Sequence, residues 1–175
     1  DKGILTGIPI RESLFSGNPE NGRKLCGFRE GKPVVVVMGG SKGSVIINKN
    51  IREALKKLMP YFQICHICGE GNIDKSFENI AGYKQFEYID RELPDIFAMA
   101  DIIVARAGAT SIFEFVALKK PNLLIPLSLK ASRGDQILNA RSFEKQGFSH
   151  VLEEENMNPD TLLENIQYVY KNRQK

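Results

Sequence analysis

Four consecutive valines, followed by a glycine-rich turn, constrain the fold of this chain more than any other feature. Residues 34–37 are β-branched and continuously apolar, which is typical of a strand buried on both faces of a parallel sheet. Residues 39–44 contain three glycines and two serines, and apolar residues then recur at helical spacing. The spacing matches neither a P-loop nor a complete dinucleotide-binding fingerprint. The segment therefore predicts a strand, a tight turn and a helix.

A strand that runs through such a turn into a helix predicts a binding site for an anion. The first N–H groups of a helix have no partner within the helix, and the helix dipole places partial positive charge beside them. A phosphate group is the anion that this arrangement favours. The alternative is an ordinary turn between strand and helix, in which glycine only permits close packing.

The alternation of strands and helices continues along the chain. Five further strands are predicted at residues 61–68, 83–88, 102–105, 122–126 and 151–152. Helical patterns separate them, so we predict an α/β fold: a Rossmann-like open parallel sheet with helices on both faces. Residues 1–20 are punctuated by glycine and proline and are predicted to be an interdomain linker and entry segment, and residues 21–175 are predicted to be one domain.

The composition excludes two classes of protein. The 24 Lys and Arg residues exceed the 21 Asp and Glu residues by a net charge of +3, which is too small to indicate a nucleic-acid partner. No run approaches the ~18 apolar residues of a membrane-spanning helix. Three cysteines without a recognisable secretory signal indicate a reducing compartment.

The residue types most often used in metal and acid–base chemistry give no positive signal here. Cys65 and Cys68 have the spacing of a metal or redox pair, but they fall in a predicted strand, which directs residues three apart to opposite faces. Neither a metal site nor a cofactor is therefore predicted. His66 and His150 have no carboxylate at motif spacing, so neither is predicted to be a general base.

Polar loops follow three of the predicted strands, at residues 39–44, 106–111 and 128–136. Ligands of open parallel sheets bind outside the carboxyl ends of the strands, so these loops are expected to surround one site. The second loop repeats the design of the first, and two helix starts side by side would favour a diphosphate. Glu114 is predicted in the first turn of the following helix, where a carboxylate either offsets the helix dipole or accepts hydrogen bonds from ribose hydroxyls.

Four segments in a fixed order make the chain recognisable: residues 7–11, 38–43, 106–109 with Glu114, and 135–140. Over essentially its whole length the chain resembles the C-terminal domain of the MurG family of peptidoglycan N-acetylglucosaminyltransferases, in the form found in Gram-positive bacteria. Members of that family have two Rossmann-like domains around a cleft, the glycosyltransferase-B fold, so the resemblance implies one half of such an enzyme. The first residue is Asp rather than Met, which is compatible with a piece of a longer protein.

The resemblance implies a specific function. The C-terminal half of such enzymes binds the donor UDP-N-acetylglucosamine (UDP-GlcNAc), whereas the N-terminal half carries the catalytic base and the surface that meets lipid I and the membrane. The intact enzyme is implied to transfer GlcNAc to lipid I, with inversion and without a cofactor or essential metal, forming lipid II for the cell wall and hence for cell shape and division. It would act peripherally at the cytoplasmic face of the bacterial cell membrane, and this half alone would be inactive.

The resemblance also assigns residues to the donor. Arg11 and Ser41 would contact the diphosphate, and Ile89 would meet the uracil through its backbone. Glu114 would accept hydrogen bonds from the ribose hydroxyls. The full set predicted to bind UDP-GlcNAc is Arg11, Gly40, Ser41, Ile89, Ala109, Thr110, Ser111, Ile112, Phe113, Glu114, Asp135 and Gln136.

Two positions depart from the pattern of the family. Gln136 would bind the GlcNAc hydroxyls, but its neighbour Asp135 stands where the family usually has a second glutamine. A carboxylate can accept from a sugar hydroxyl but cannot donate as an amide does. Ile8 replaces an asparagine in the segment before Arg11.

Two other interpretations share the same donor site. One is a related nucleotide-sugar enzyme of this architecture, such as a diacylglycerol glucosyltransferase or a UDP-GlcNAc epimerase. The other is a non-catalytic subunit that binds a nucleotide sugar for a separate catalytic chain. An in-frame Rossmann domain upstream in the coding sequence would exclude the second.

Overall fold

The computed structural model describes residues 8–129 and 131–173 of the chain. The strands are β1 (Val34–Met38), β2 (Gln63–Ile67), β3 (Tyr83–Phe86), β4 (Ile102–Ala105), β5 (Asn122–Leu124) and β6 (His150–Val151). The α-helices are α1 (Pro19–Cys26), α2 (Val45–Leu58), α3 (Leu93–Met99), α4 (Ala109–Ala117), α5 (Asp135–Lys145) and α6 (Pro159–Asn172). Short 3-10 helices lie at Glu12–Ser16, Lys75–Phe77 and Glu154–Asn156.

The strands form one parallel sheet in the order β3-β2-β1-β4-β5-β6. The chain moves outward from β1 to β3 and then crosses back, so that β4 lies on the other side of β1. Val36 is therefore opposite Cys65 of β2 on one side and Ile103 of β4 on the other. The predicted Rossmann-like sheet is confirmed, and the reversal of strand order between β1 and β4 is where such sheets open a crevice for ligands.

An apolar core covers each face of the sheet, as the continuous valine run predicts. Val34 and Val36 belong to one core cluster, which includes residues of α1, α3, α4 and α5, among them Phe97. Val35 and Val37 belong to a second cluster with residues of α2 and α6. Because helices pack on both faces of β1, all four valines are fully buried.

Helix α1 is not predicted by the sequence pattern, although its start carries a recognisable signature. The Asn18 side chain accepts a backbone N–H at 2.8 Å, and Pro19 occupies the first helical position. At Gly22 the helix approaches α3 so closely that a Cβ would lie 2.5 Å from the carbonyl oxygen of Asp95. Leu14, within the segment predicted as a linker, is also buried in the core. The entry segment is therefore partly packed onto the domain, and the boundary at residue 20 stays a prediction.

Cys65 lies in β2 and Cys68 is the residue after it. The two side chains lie on opposite faces of the sheet, as the strand geometry predicts. Cys65 belongs to the cluster that faces α1 and α3, whereas the Sγ of Cys68 lies 3.5 Å from a guanidinium nitrogen of Arg52 on α2. Burial raises the pKa of the Cys68 thiol to about 11, so this thiol stays protonated at neutral pH. Within the described ranges, no group of three His, Cys, Asp or Glu residues is placed to hold a metal ion. None of the helices described is both long and apolar enough to cross a bilayer.

Candidate functional site

A cavity of about 400 Å³ opens at the carboxyl ends of β1, β4 and β5. It occupies the crevice expected where the strand order reverses. Each of the three polar loops predicted to surround one site contributes to its wall, through Gly40, Ser111 and Gln136 respectively. The structure therefore brings together three lining residues that are at least 25 positions apart in the sequence.

The turn between β1 and α2 forms the first wall. Gly43 has a positive φ of 74°, and its N–H donates to the carbonyl oxygen of Gly40 at 3.0 Å. A Cβ at position 43 would lie 1.9 Å from the carbonyl oxygen of Cys68, so both the backbone angle and the close approach require glycine here. Ser44 then caps α2, with its Oγ accepting the N–H of Ile47 at 3.3 Å. The two interpretations of this turn are thus compatible: glycine permits close packing, and the turn also directs a helix start at the cavity.

The starts of α4 and α5 form the other walls. Helix α4 begins at Ala109, three residues before the helical pattern of the sequence becomes apparent, so that Ser111 lies in its first turn. Gly108 and Gly134 occupy the N-cap positions of the two helices, and neither helix has a side-chain cap. The first N–H groups of both helices are therefore available to an external acceptor. Together with α2, this places partial positive charge around one cavity, which favours an anion such as a diphosphate.

Arg11 and Glu114, which the sequence assigned to different parts of the donor, form an ion pair. The Arg11 Nε lies 3.1 Å from the Glu114 Oε1, with the arginine half exposed and the glutamate 6% exposed. Glu114 is the sixth residue of α4 and lies in its second turn, so the expectation of a first-turn position is wrong. The error arose because α4 begins earlier than the apolar pattern indicates. Since the helix dipole acts within the first turn, offsetting it does not account for this buried carboxylate.

The remaining predicted residues of the loops differ in how they face the cavity. Ser41, Ala109, Thr110 and Asp135 are exposed on the same turns without lining it. Gln136 lines it, and its Oε1 accepts the N–H of Leu127 at 3.2 Å, which ties α5 to the loop after β5. Among the described residues the amide nitrogen of Gln136 has no hydrogen-bond partner, so it can serve a ligand.

Two of the predicted residues offer a ligand little or no side chain in this structure. Ile112 is fully buried, and Ile89, in the segment between β3 and α3, is nearly so. Only their backbone groups can therefore reach a ligand, which for Ile89 is the predicted mode of contact. Phe113 packs edge-on against Phe143 of α5, with 5.2 Å between the ring centroids.

The predicted set of donor-binding residues does not include Arg106 and Glu154, the two charged residues that line the cavity in the described part of the chain. Arg106, directly after β4, and Glu154, in the 3-10 helix after β6, form an ion pair in the wall. A cation directly after a buried parallel strand is a signal that could have identified Arg106. The segment around Glu154 gives no comparable signal, because three glutamates stand in a row there.

The histidines lie away from the cavity wall and are held by neutral partners. The Nδ1 of His66 lies 2.8 Å from the Tyr83 hydroxyl, and its Nε2 lies 3.0 Å from the Oδ1 of Asn48. Burial lowers the pKa of His66 to about 3, so the ring is neutral at physiological pH. The Nε2 of His150 lies 2.7 Å from the Oδ1 of Asn165 on α6. Both rings therefore have structural partners, and their lack of a catalytic role stays a prediction.

The chain is similar to known proteins over its whole length. Residues 34–175 match the family described as the glycosyltransferase family 28 C-terminal domain. Over all 175 residues the chain is 58% identical to the UDP-N-acetylglucosamine--N-acetylmuramyl-(pentapeptide) pyrophosphoryl-undecaprenol N-acetylglucosamine transferase of Clostridium tetani, and 53% identical to the protein of the same name from Clostridium perfringens. The crystal structure of Acinetobacter baumannii MurG is similar, with a TM-score of 0.71 at 22% identity, over 98% of this chain and 50% of that one.

The matches cover all or nearly all of this chain but only part of each relative. The chain spans about half the length of its curated relatives, 49% of each Clostridium protein. The Acinetobacter structure shows the shared fold, which extends over half of that chain. The family match runs from β1 to the end of the chain and includes all three loops of the cavity. The chain therefore belongs to the glycosyltransferase family 28 C-terminal domain family, which confirms the resemblance drawn from its motifs.

Proposed function

We propose that this chain is the donor-binding half of an inverting glycosyltransferase that transfers GlcNAc from UDP-GlcNAc to lipid I, forming lipid II in peptidoglycan synthesis. One observation carries the proposal: the three motif loops converge on one cavity in a chain 58% identical, over its whole length, to a transferase named for this donor. The geometry supports the anionic part of the donor, and the relatives support its identity.

The cavity suits the charge that develops during transfer. When the sugar–phosphate bond breaks, negative charge accumulates on the diphosphate of the departing UDP. Preorganised N–H groups at the starts of α2 and α4, which follow Gly43 and Gly108 in the chain, would stabilise this charge without reorganisation. The half-exposed guanidinium of Arg11 would add a charge-assisted hydrogen bond to the same group.

The other parts of the donor have candidate partners nearby. Glu114 would accept hydrogen bonds from the ribose hydroxyls, and the backbone of Ile89 would meet the uracil. Gln136, already in the cavity wall, would bind GlcNAc hydroxyls through its free amide nitrogen. Asp135 is exposed one residue away and would accept from a hydroxyl.

The acceptor and the membrane enter the proposal through the rest of the relatives' length. Lipid I, the catalytic base and the membrane-facing surface are assigned to a partner domain, and the whole protein would act peripherally at the cytoplasmic face of the bacterial cell membrane. A diacylglycerol glucosyltransferase, a UDP-GlcNAc epimerase and a non-catalytic subunit would use a similar donor fold. No contact in the described residues favours any of them over the transferase named in the relatives.

Ligand selectivity tests the proposal. We expect UDP and UDP-GlcNAc to bind the chain about ten- to a hundredfold more tightly than UMP, because the second phosphate adds a charge-assisted interaction worth roughly 1.5–3 kcal/mol. Isothermal titration calorimetry of UDP, UMP and uridine measures the difference, with GDP as a control for recognition of the base. Equal affinities for UMP and UDP would contradict a diphosphate site, and equal affinities for GDP and UDP would contradict a uracil site.

A further inference from the structure

The wall of the cavity contains a buried ion pair. The Nη2 of Arg106 contacts the Oε2 of Glu154, and both side chains are at least nine-tenths buried. They are the two charged residues among those that line the cavity in the described part of the chain. The net charge of the cavity wall therefore depends on this pair.

Arg106 is held beside the start of α2. Its Nη2 also donates to the Oγ of Ser44, the N-cap of that helix, at 2.7 Å, and its Nη1 donates to the carbonyl oxygens of Ile125 and Pro126 at 3.2 and 3.3 Å. A full positive charge and the positive end of a helix dipole thus lie at one point of the wall. Glu154 supplies the opposing charge there.

Stability alone is a weak reason for such a pair. Removing two charges from water costs several kcal/mol per ion, and buried pairs replaced by apolar residues often leave a protein as stable or more so. The pair instead lies where an anionic ligand is expected. A carboxylate at that place occupies Arg106 in the way that a phosphate would.

We propose that Glu154 is an affinity-determining residue of the diphosphate site: it neutralises the charge of Arg106 in the cavity wall and thereby limits how tightly UDP is held. The inference rests on the proposed function, because it requires that a diphosphate binds at the starts of α2 and α4. Its consequence for turnover is that the product UDP, whose charge is fully developed after transfer, is released rather than retained.

The substitution Glu154→Gln tests the inference, because it keeps the shape and one acceptor oxygen but removes the charge. We expect UDP and inorganic pyrophosphate to bind this variant about tenfold more tightly than the unmodified chain, with slower dissociation of UDP, because the charge of Arg106 becomes uncompensated. Uridine, which carries no phosphate, should bind equally. Glu153→Gln is the matched control, since Glu153 is the preceding residue and pairs with Arg141 outside the cavity. This control should leave all three affinities unchanged.

The outcomes separate this inference from the proposed function. If the unmodified chain binds UDP and Glu154→Gln binds it equally or more weakly, the inference is overturned and the diphosphate site stands. If the unmodified chain does not bind UDP, the proposed function fails first. If the variant is too unstable for titration, its melting temperature is measured against pyrophosphate concentration. We expect that temperature to rise more steeply for the variant than for the unmodified chain. An equal or smaller rise would overturn the inference as well.

Discussion

The 175-residue chain, mixed with UDP-GlcNAc and a lipid I analogue, is expected to form no detectable lipid II at any protein concentration. Among the residues that the structure describes, the charged members of the cavity wall, Arg106 and Glu154, are committed to each other. His66 is buried and neutral, and His150 lies in β6, away from the wall. The cavity wall described here therefore contains no histidine and no unpaired carboxylate to act as a general base, and one wall of a cleft cannot align donor and acceptor for reaction.

A transfer assay with radiolabelled donor measures this expectation, and a parallel UDP titration confirms that the same preparation binds the nucleotide. Fusing the chain to the remaining half of the Clostridium tetani relative, of which it covers 49%, should restore turnover. Lipid II formed by the chain alone would contradict the division of labour between the two halves. Asp135, exposed beside the cavity, would then be the first candidate for a base.

Replacing Glu114 by Gln is expected to lower the affinity for UDP by about ten- to a hundredfold, because a charge-assisted hydrogen bond to the ribose is worth roughly 1.5–3 kcal/mol. The carboxylate is buried in the second turn of α4, where a dipole effect is small, and its Oε1 already holds Arg11. Calorimetry of UDP against both chains gives the ratio. Unchanged affinity together with an unchanged melting temperature would leave Glu114 without a role in donor binding.

Two controls separate the ribose contact from the ion pair. Arg11→Gln removes the cation and leaves Glu114 in place, so it should lower the affinity for UDP but not for uridine. Glu114→Gln should lower the affinity for both ligands. With 2′-deoxy-UDP, Glu114→Gln should cost less affinity than with UDP, because one of the hydroxyls that the carboxylate accepts from is missing. An equal loss of affinity for both nucleotides would indicate that Glu114 acts by positioning Arg11 through their ion pair, and not by binding the ribose.

The architecture was predictable because its strands carry strong, local signals. The valine run of β1 and the apolar run of β4 are typical of strands buried on both faces of a parallel sheet, and the structure places both at its centre. Helix α1 escaped prediction because Gly22, which weakens a helical pattern, is present to allow close approach to α3. Tertiary packing, which a local pattern does not contain, determines that helix.

The sequence predicted which loops surround the candidate site, but it did not predict which charged residues line it. The positions of Gly40, Ser111 and Gln136 followed from the rule that ligands bind at the carboxyl ends of parallel strands. The pairing of Arg106 with Glu154 joins residues 48 positions apart, at the ends of different strands, and no spacing rule connects them. Such pairs depend on the folded sheet and become visible only in the structure.

Backbone amide chemical shifts of the isotope-labelled chain, recorded while UDP is added, test the central claim most directly. A diphosphate held at the starts of α2 and α4 should shift the amides of residues 39–46 and 108–112 in a saturable manner, with smaller changes at 134–136. Uridine alone should leave the first of these groups nearly unchanged. Saturable shifts confined to the separate groove on α2 that Lys49, Arg52 and Phe77 line would contradict a donor site at the carboxyl ends of the strands, as would no saturable shift at all.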